Sequence, residues 1–145
     1  MPHSTVYLHY VWSTKYRNPI LLPSVKEVLV KHIKSNAFKH KIHIVSINGH
    51  LDHLHCLVRL KAGQTIDGVI KLIKGESARW FNEYYKNLQL VWQADYFVAS
   101  VNRSGLERVT RYIEQQEKHH ARVSFEEEYQ AIIKHHKDFE ERVED

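Results

Sequence analysis

The chain has 145 residues, 43% of them hydrophobic, with 21 Lys/Arg, 17 Asp/Glu and 12 His, enough for one domain over 1–145 with a real core. No apolar run approaches the ~18 residues of a membrane span, no leader peptide is expected, and the lone Cys56 excludes an internal disulfide or a multi-cysteine metal centre and fits a reducing, cytoplasmic compartment. Charge is uneven, with 18 Lys/Arg against 9 Asp/Glu in residues 1–122 and 3 against 8 in residues 123–145, so a basic body precedes an acidic tail.

Residues 7–14 are aromatic and β-branched and predict a strand, broken by Asn18-Pro19 and Leu22-Pro23. Ser24 then opens a helix to about His40, with Val25, Val28, Leu29, Ile33 and Ala37 at helical spacing. A second strand covers about Ile42 to Asn48. Gly49 and Asp52 supply turn chemistry before a third strand, His53 to Leu60. Thr65 or Asp67 caps a second helix reaching about Tyr85, and a fourth strand fits Tyr96 to Val101. Ser104-Gly105 opens a helix from Leu106 to His119, and an acidic C-terminal helix lies within 124–145, from about Phe125 to Lys137. The order β-α-β-β-α-β predicts an α+β, ferredoxin-like (RRM-like) antiparallel sheet with helices on one face, plus C-terminal helices, and leaves the other sheet face open for a site. That fold hosts many functions and decides little by itself.

Three constellations carry possible chemistry. Alternation along the third strand places His53, His55, Leu57 and Arg59 on one face and Leu54, Cys56, Val58 and Leu60 on the other. The second set is apolar and must face the core, so both imidazoles point away from it at a spacing that can chelate one metal ion; two surface histidines would read the same way. Tyr112 and Gln116 are one helical turn apart, beside the stripe Leu106, Val109 and Ile113. A phenol there can attack a phosphate, or simply pack on the sheet. Residues 71–80 mix Lys71, Lys74 and Arg79 with Trp80, as suits phosphate contact with base stacking or an ordinary amphipathic helix. The basic body favours phosphate-bearing partners. No Walker loop, G-x-S-x-G or H-E-x-x-H occurs.

Five stretches in order resemble the HUH single-tyrosine transposases of small bacterial insertion sequences. They are residues 11–17 (VWSTKYR), 52–58 (DHLHCLV), 72–78 (LIKGESA), 92–101 (WQADYFVASV) and 111–116 (RYIEQQ). Leu51 stands where the family usually has Pro, and Asn102 where it often has Gly. The resemblance implies a transposase that cleaves and rejoins single-stranded DNA. Tyr112 would be the nucleophile, forming a 5′-phosphotyrosine bond, and His53, His55 and Gln116 would ligate Mg²⁺ or Mn²⁺. It implies hairpin-bearing element ends as substrate and a homodimer in which Tyr112 of one subunit completes the other's site, with Ser104-Gly105 as hinge. Lys15, Arg17, Lys74 and Arg79 are the candidate DNA contacts. The rival from another class is a non-catalytic module that binds single-stranded nucleic acid through an RRM-like sheet; it needs neither the histidine pair nor Tyr112 with Gln116.

Overall fold

Strand β1 (Val6–Ser13) runs through the centre of a four-stranded sheet, because both of its edges are paired. A computed structural model describes the backbone of residues 3–120 and 124–144, with side chains to Lys134. The further elements are α1 (Pro23–Lys39), β2 (His43–His50), β3 (His53–Leu60), α2 (Ile66–Tyr84), β4 (Phe97–Val101), α3 (Leu106–Glu114), α4 (Gln116–His120) and α5 (Phe125–Glu144). The strand order is β2-β3-β1-β4 and every pairing is antiparallel, which is the expected ferredoxin-like arrangement.

Strand parity sorts the side chains into two layers. Leu8, Tyr10 and Trp12 of β1 join Leu54, Cys56 and Val58 of β3 in one apolar cluster. That cluster includes Val25, Leu29, Ile33 and Ala37 of α1 and Val69, Ile70, Ile73 and Phe81 of α2. Each such side chain contributes about 1.5–3 kcal/mol on burial. Tyr10 spans the layer and donates its hydroxyl to the Ile66 carbonyl, 2.7 Å away. Of the two candidate caps for α2, Thr65 serves, with its hydroxyl accepting from the Gly68 amide at 2.9 Å.

The opposite face is not open, as the sequence pattern had led us to expect. Helices α3, α4 and α5 cover it, and His53 and His55 are 0% exposed. Asn48 of β2 donates to the Glu114 carbonyl at the end of α3. Lys26, buried on α1, donates to the Gly49 carbonyl at 3.1 Å and pairs with Glu117 of α4 at 2.5 Å. The expected single helix from Leu106 to His119 is divided at Gln115, whose φ of −97° and ψ of 18° leave the helical range. The acidic C-terminal helix is present and extends to Glu144. Among the described residues, no helix is long and apolar enough to cross a membrane.

Two glycines make opposite demands. A Cβ on Gly49, at the β2–β3 hairpin, would stand 2.0 Å from the His53 carbonyl oxygen and 2.8 Å from Leu54 Cδ2. Gly75, exposed in the middle of α2, would meet nothing within 4 Å. Gly49→Ala is therefore expected to destabilise by about 1–3 kcal/mol through overpacking. Gly75→Ala should stabilise by roughly 0.5–1 kcal/mol through helix propensity. Chemical denaturation of the two variants checks both signs.

Candidate active site

The covered sheet face collects imidazoles because its strands bring them there. In β3, His53 and His55 project on the same side. Register puts Ser13 and His50 beside His53, and Val11 and Asn48 beside His55. His9 of β1 lies on the same face, with its Nε2 2.8 Å from His55 Nδ1. Tyr112, on α3, sets its ring edge-on to His55 with centroids 5.5 Å apart. Gln116 begins α4 and turns its side chain inward, fully buried, so that its Oε1 lies 3.1 Å from His53 Nε2. The four residues singled out for catalysis and metal binding, Tyr112, His53, His55 and Gln116, thus converge within one chain. Within the single chain, Tyr112 stands beside that chain's own His55.

Three groups at the centre were not expected. Glu128 of α5 is 3% exposed. Its Oε1 lies 2.8 Å from His55 Nε2, 3.3 Å from His53 Nε2 and 3.2 Å from His120 Nε2. Its Oε2 accepts from the Tyr112 hydroxyl and, at 3.2 Å, from Gln116 Nε2. His120 also faces Gln116 Oε1 at 3.1 Å. His119 Nε2 stands 3.0 Å from Glu128 Oε2 without the alignment of a hydrogen bond. A signal for Glu128 was present in the helical spacing. Phe125, Glu128, Tyr129 and Ile132 form the inward stripe of α5, and a carboxylate on an otherwise apolar stripe needs a partner.

The electrostatics follow from that burial. It pushes His9 down to about 3, helped by the neighbouring His55, and His55 down to about 4 against the pull of Glu128. Burial also opposes a charge on His53, yet hydrogen bonds to Asp52, Glu128 and Gln116 outweigh it and raise the pKa. The geometry agrees: His53 Nδ1 faces Asp52 Oδ1 at 2.9 Å while Nε2 faces two acceptors, so both nitrogens have use for a proton. Burial would raise the Glu128 carboxyl, but His120, His53 and His55 hold it well below the usual range. Burial, then the Glu128 contact, raises the Tyr112 phenol.

The donor set fits a divalent metal ion. Ligand atoms of His53, His120 and Glu128 all lie within 4.8 Å of one another. His120 Nδ1 and His119 Nε2 are buried without a hydrogen-bond partner among the described residues. Imidazole, carboxylate and amide oxygen together suit ions such as Mn²⁺.

The basic candidates are dispersed. Lys15 and Arg17 sit on an exposed 3₁₀ turn after β1. Arg17 pairs with Glu126 and lies 5.7 Å over the Phe125 ring. Lys74 is half-buried and its charge is engaged by backbone. Its ammonium donates to the carbonyls of Gln93, Ala94 and Asp95 at 2.6, 3.1 and 3.2 Å, and burial lowers its pKa. Arg79 is exposed on α2, across the sheet from the histidines. Beside the site, a cleft of about 600 Å³ is lined by residues including Trp12, Tyr16, Arg17, Tyr96, Phe125 and Tyr129.

The profile of the family described as "Transposase IS200 like" matches residues 2–116. The ISDra2 transposase TnpA of Deinococcus radiodurans is 26% identical over 114 residues, covering 74% of this chain and 81% of its own. The crystal structure of a candidate transposase from Deinococcus radiodurans R1 superimposes with a TM-score of 0.66 at 25% identity, over 79% of this chain and 93% of its own. A REP-associated tyrosine transposase bound to a REP hairpin shares the fold, with a TM-score of 0.62 at 17% identity over 85% and 74% of the two chains. His119, His120 and Glu128 lie beyond the segment that the profile covers. The match over residues 2–116, on a ferredoxin-like sheet, means that the chain belongs to the IS200-like transposase family.

Proposed function

We propose that this transposase cleaves and rejoins single-stranded DNA at the ends of its element, with Tyr112 as nucleophile. The observation that carries the reading is the convergence of the Tyr112 phenol with His53, His55 and Gln116 in one buried cluster. His53, His55 and Gln116 would hold a divalent ion, Mg²⁺ or Mn²⁺, which when bound supplies Lewis-acid polarisation of a phosphate and stabilises charge on its oxygens. Tyr112 attacks phosphorus and the O3′ leaves, giving a 5′-phosphotyrosine ester and a free 3′-OH. Attack by a 3′-OH on that ester reverses the step and releases the tyrosine. One phosphodiester-type bond is exchanged for another, so no nucleotide triphosphate is needed.

The neighbouring cleft supplies the rest of the reading. Its aromatic rings suit stacking of unpaired bases, and Arg17 with the nearby Lys15 suits the backbone. The substrate proposed is a hairpin-bearing single strand. A neighbour of the same fold is described as bound to a REP hairpin, which accords with that choice. A homodimer that exchanges its tyrosines remains the family's implied assembly. Tyr112 also reaches the histidines of its own chain, so catalysis within one subunit is the alternative that the mixing experiment below separates from exchange.

Two experiments test this. Incubated with Mn²⁺ and an oligonucleotide carrying the element end, the wild type should form a covalent adduct resistant to denaturing electrophoresis. Tyr112→Phe or addition of EDTA should reduce it by about a thousandfold or more. An adduct that persists in Tyr112→Phe removes the nucleophile assignment, and binding without any cleavage favours the non-catalytic module. Mixing Tyr112→Phe with the double variant His53→Ala/His55→Ala then decides the assembly. Sites built within one chain should show no recovery of adduct, whereas recovery would establish tyrosine exchange.

A further inference from the structure

We infer that Glu128 is an anionic ligand for the divalent ion, so that ion binding and docking of α5 on the sheet are coupled. The inference rests on the metal site just proposed and extends it to a helix beyond the family-matched segment. Ligand atoms adjacent in an octahedral shell with bonds of about 2.0–2.1 Å stand about 3 Å apart. Glu128 Oε1 meets that spacing three times, at 2.8 Å from His55, 3.3 Å from His53 and 3.2 Å from His120. Gln116 Oε1 meets it twice, at 3.1 Å from both His53 Nε2 and His120 Nε2. Ligand atoms of His53, His120 and Glu128 all lie within 4.8 Å of one another, close enough to share one ion, and Gln116 Oε1 adjoins both imidazoles.

The orientation of α5 is independent support. Glu126 and Glu127 are exposed, so the helix does not bury carboxylates indiscriminately. Phe125 stacks on His53 with centroids 4.1 Å apart and planes 17° apart, which fixes the rotation of the helix and delivers Glu128 three residues later. The remaining oxygen, Oε2, takes the Tyr112 hydroxyl, so one carboxylate joins the ligand set to the phenol. A ligand borne by α5 makes the coupling reciprocal: what the ion gains from a docked helix, the helix gains from a bound ion.

The test is a calorimetric Mn²⁺ titration of the full chain, with hydrogen exchange of α5 amides measured with and without Mn²⁺. Glu128→Gln keeps shape and loses charge, and is expected to weaken Mn²⁺ binding roughly tenfold or more. The exposed neighbour Glu127→Gln should stay within about twofold of wild type. His53→Ala/His55→Ala should abolish binding. Mn²⁺ should raise protection of α5 in the wild type and not in Glu128→Gln. If Glu128→Gln binds Mn²⁺ as tightly as wild type or more tightly, while the histidine variant does not bind, the ion displaces Glu128; the inference fails and the metal site stands. If the histidine variant binds normally, or the wild type does not bind, the metal site fails and the inference with it. Should Glu128→Gln prove unfolded by circular dichroism, the wild-type exchange data decide alone, and unchanged protection of α5 overturns the coupling.

Discussion

A carboxylate held away from water must be surrounded, and Glu128 is surrounded from every C-terminal element. Taking such a charge out of water costs several kcal/mol unless charge-assisted hydrogen bonds replace the solvent. His55 and His53 of β3, His120 and Gln116 of α4 and Tyr112 of α3 together supply that replacement. None of these groups would be satisfied alone. His53 is held toward its charged form by Asp52 and Glu128, whereas His9 and His55 are held neutral by burial. The sheet therefore does not merely display two histidines; three helices close over them around one negative charge.

Much of this was legible from residue order and little of it from residue function. Alternation in β3 separated Leu54, Cys56 and Val58 from His53 and His55 correctly, because a strand's period of two admits no other partition. The same alternation says which side faces the first core, and nothing about whether a second layer covers the other side. That is why an open face was expected and a closed one is found. Glu128 was hidden by composition: three adjacent glutamates in an acidic tail read as solvent-facing, and only the 3.6-residue period distinguishes the middle of α5's inward stripe from its neighbours. The division at Gln115 was likewise invisible, since Glu114 to Lys118 contain no Gly or Pro to announce it.

Residues matching the family in α2 also hold the fold. Ser77 accepts the Trp92 indole at 3.0 Å and donates to the Lys74 carbonyl at 3.1 Å, while Lys74 binds three successive carbonyls before β4. Glu76 takes the His32 imidazole of α1 at 2.8 Å, and that ring stacks on Trp80 at 3.9 Å. The segment between α2 and β4, which lines the cleft through Gln93, Asp95 and Tyr96, is thereby positioned from behind. On the other side of the cleft, Tyr16 and Arg17 adopt left-handed backbone angles with φ of 57° and 53°. Non-glycine residues adopt that conformation at a cost of order 1–2 kcal/mol each. The turn leaves Tyr16 83% exposed, at the mouth of the cleft.

The sheet separates two layers held by different forces, and this makes the molecule thermodynamically two-sided. The α1/α2 layer is an apolar cluster whose cohesion is insensitive to salt and grows with buried area. The α3–α5 layer is anchored by charge-assisted bonds around Glu128 and by the Lys26–Glu117 pair reaching from α1. Local stability follows local bonding, so the two layers depend on different conditions. The two layers therefore answer differently to pH: His120, His53 and His55 keep Glu128 ionised well below the usual carboxylate range, so only acid strong enough to protonate it would remove the charge the polar layer is built around, whereas the apolar cluster has no such dependence.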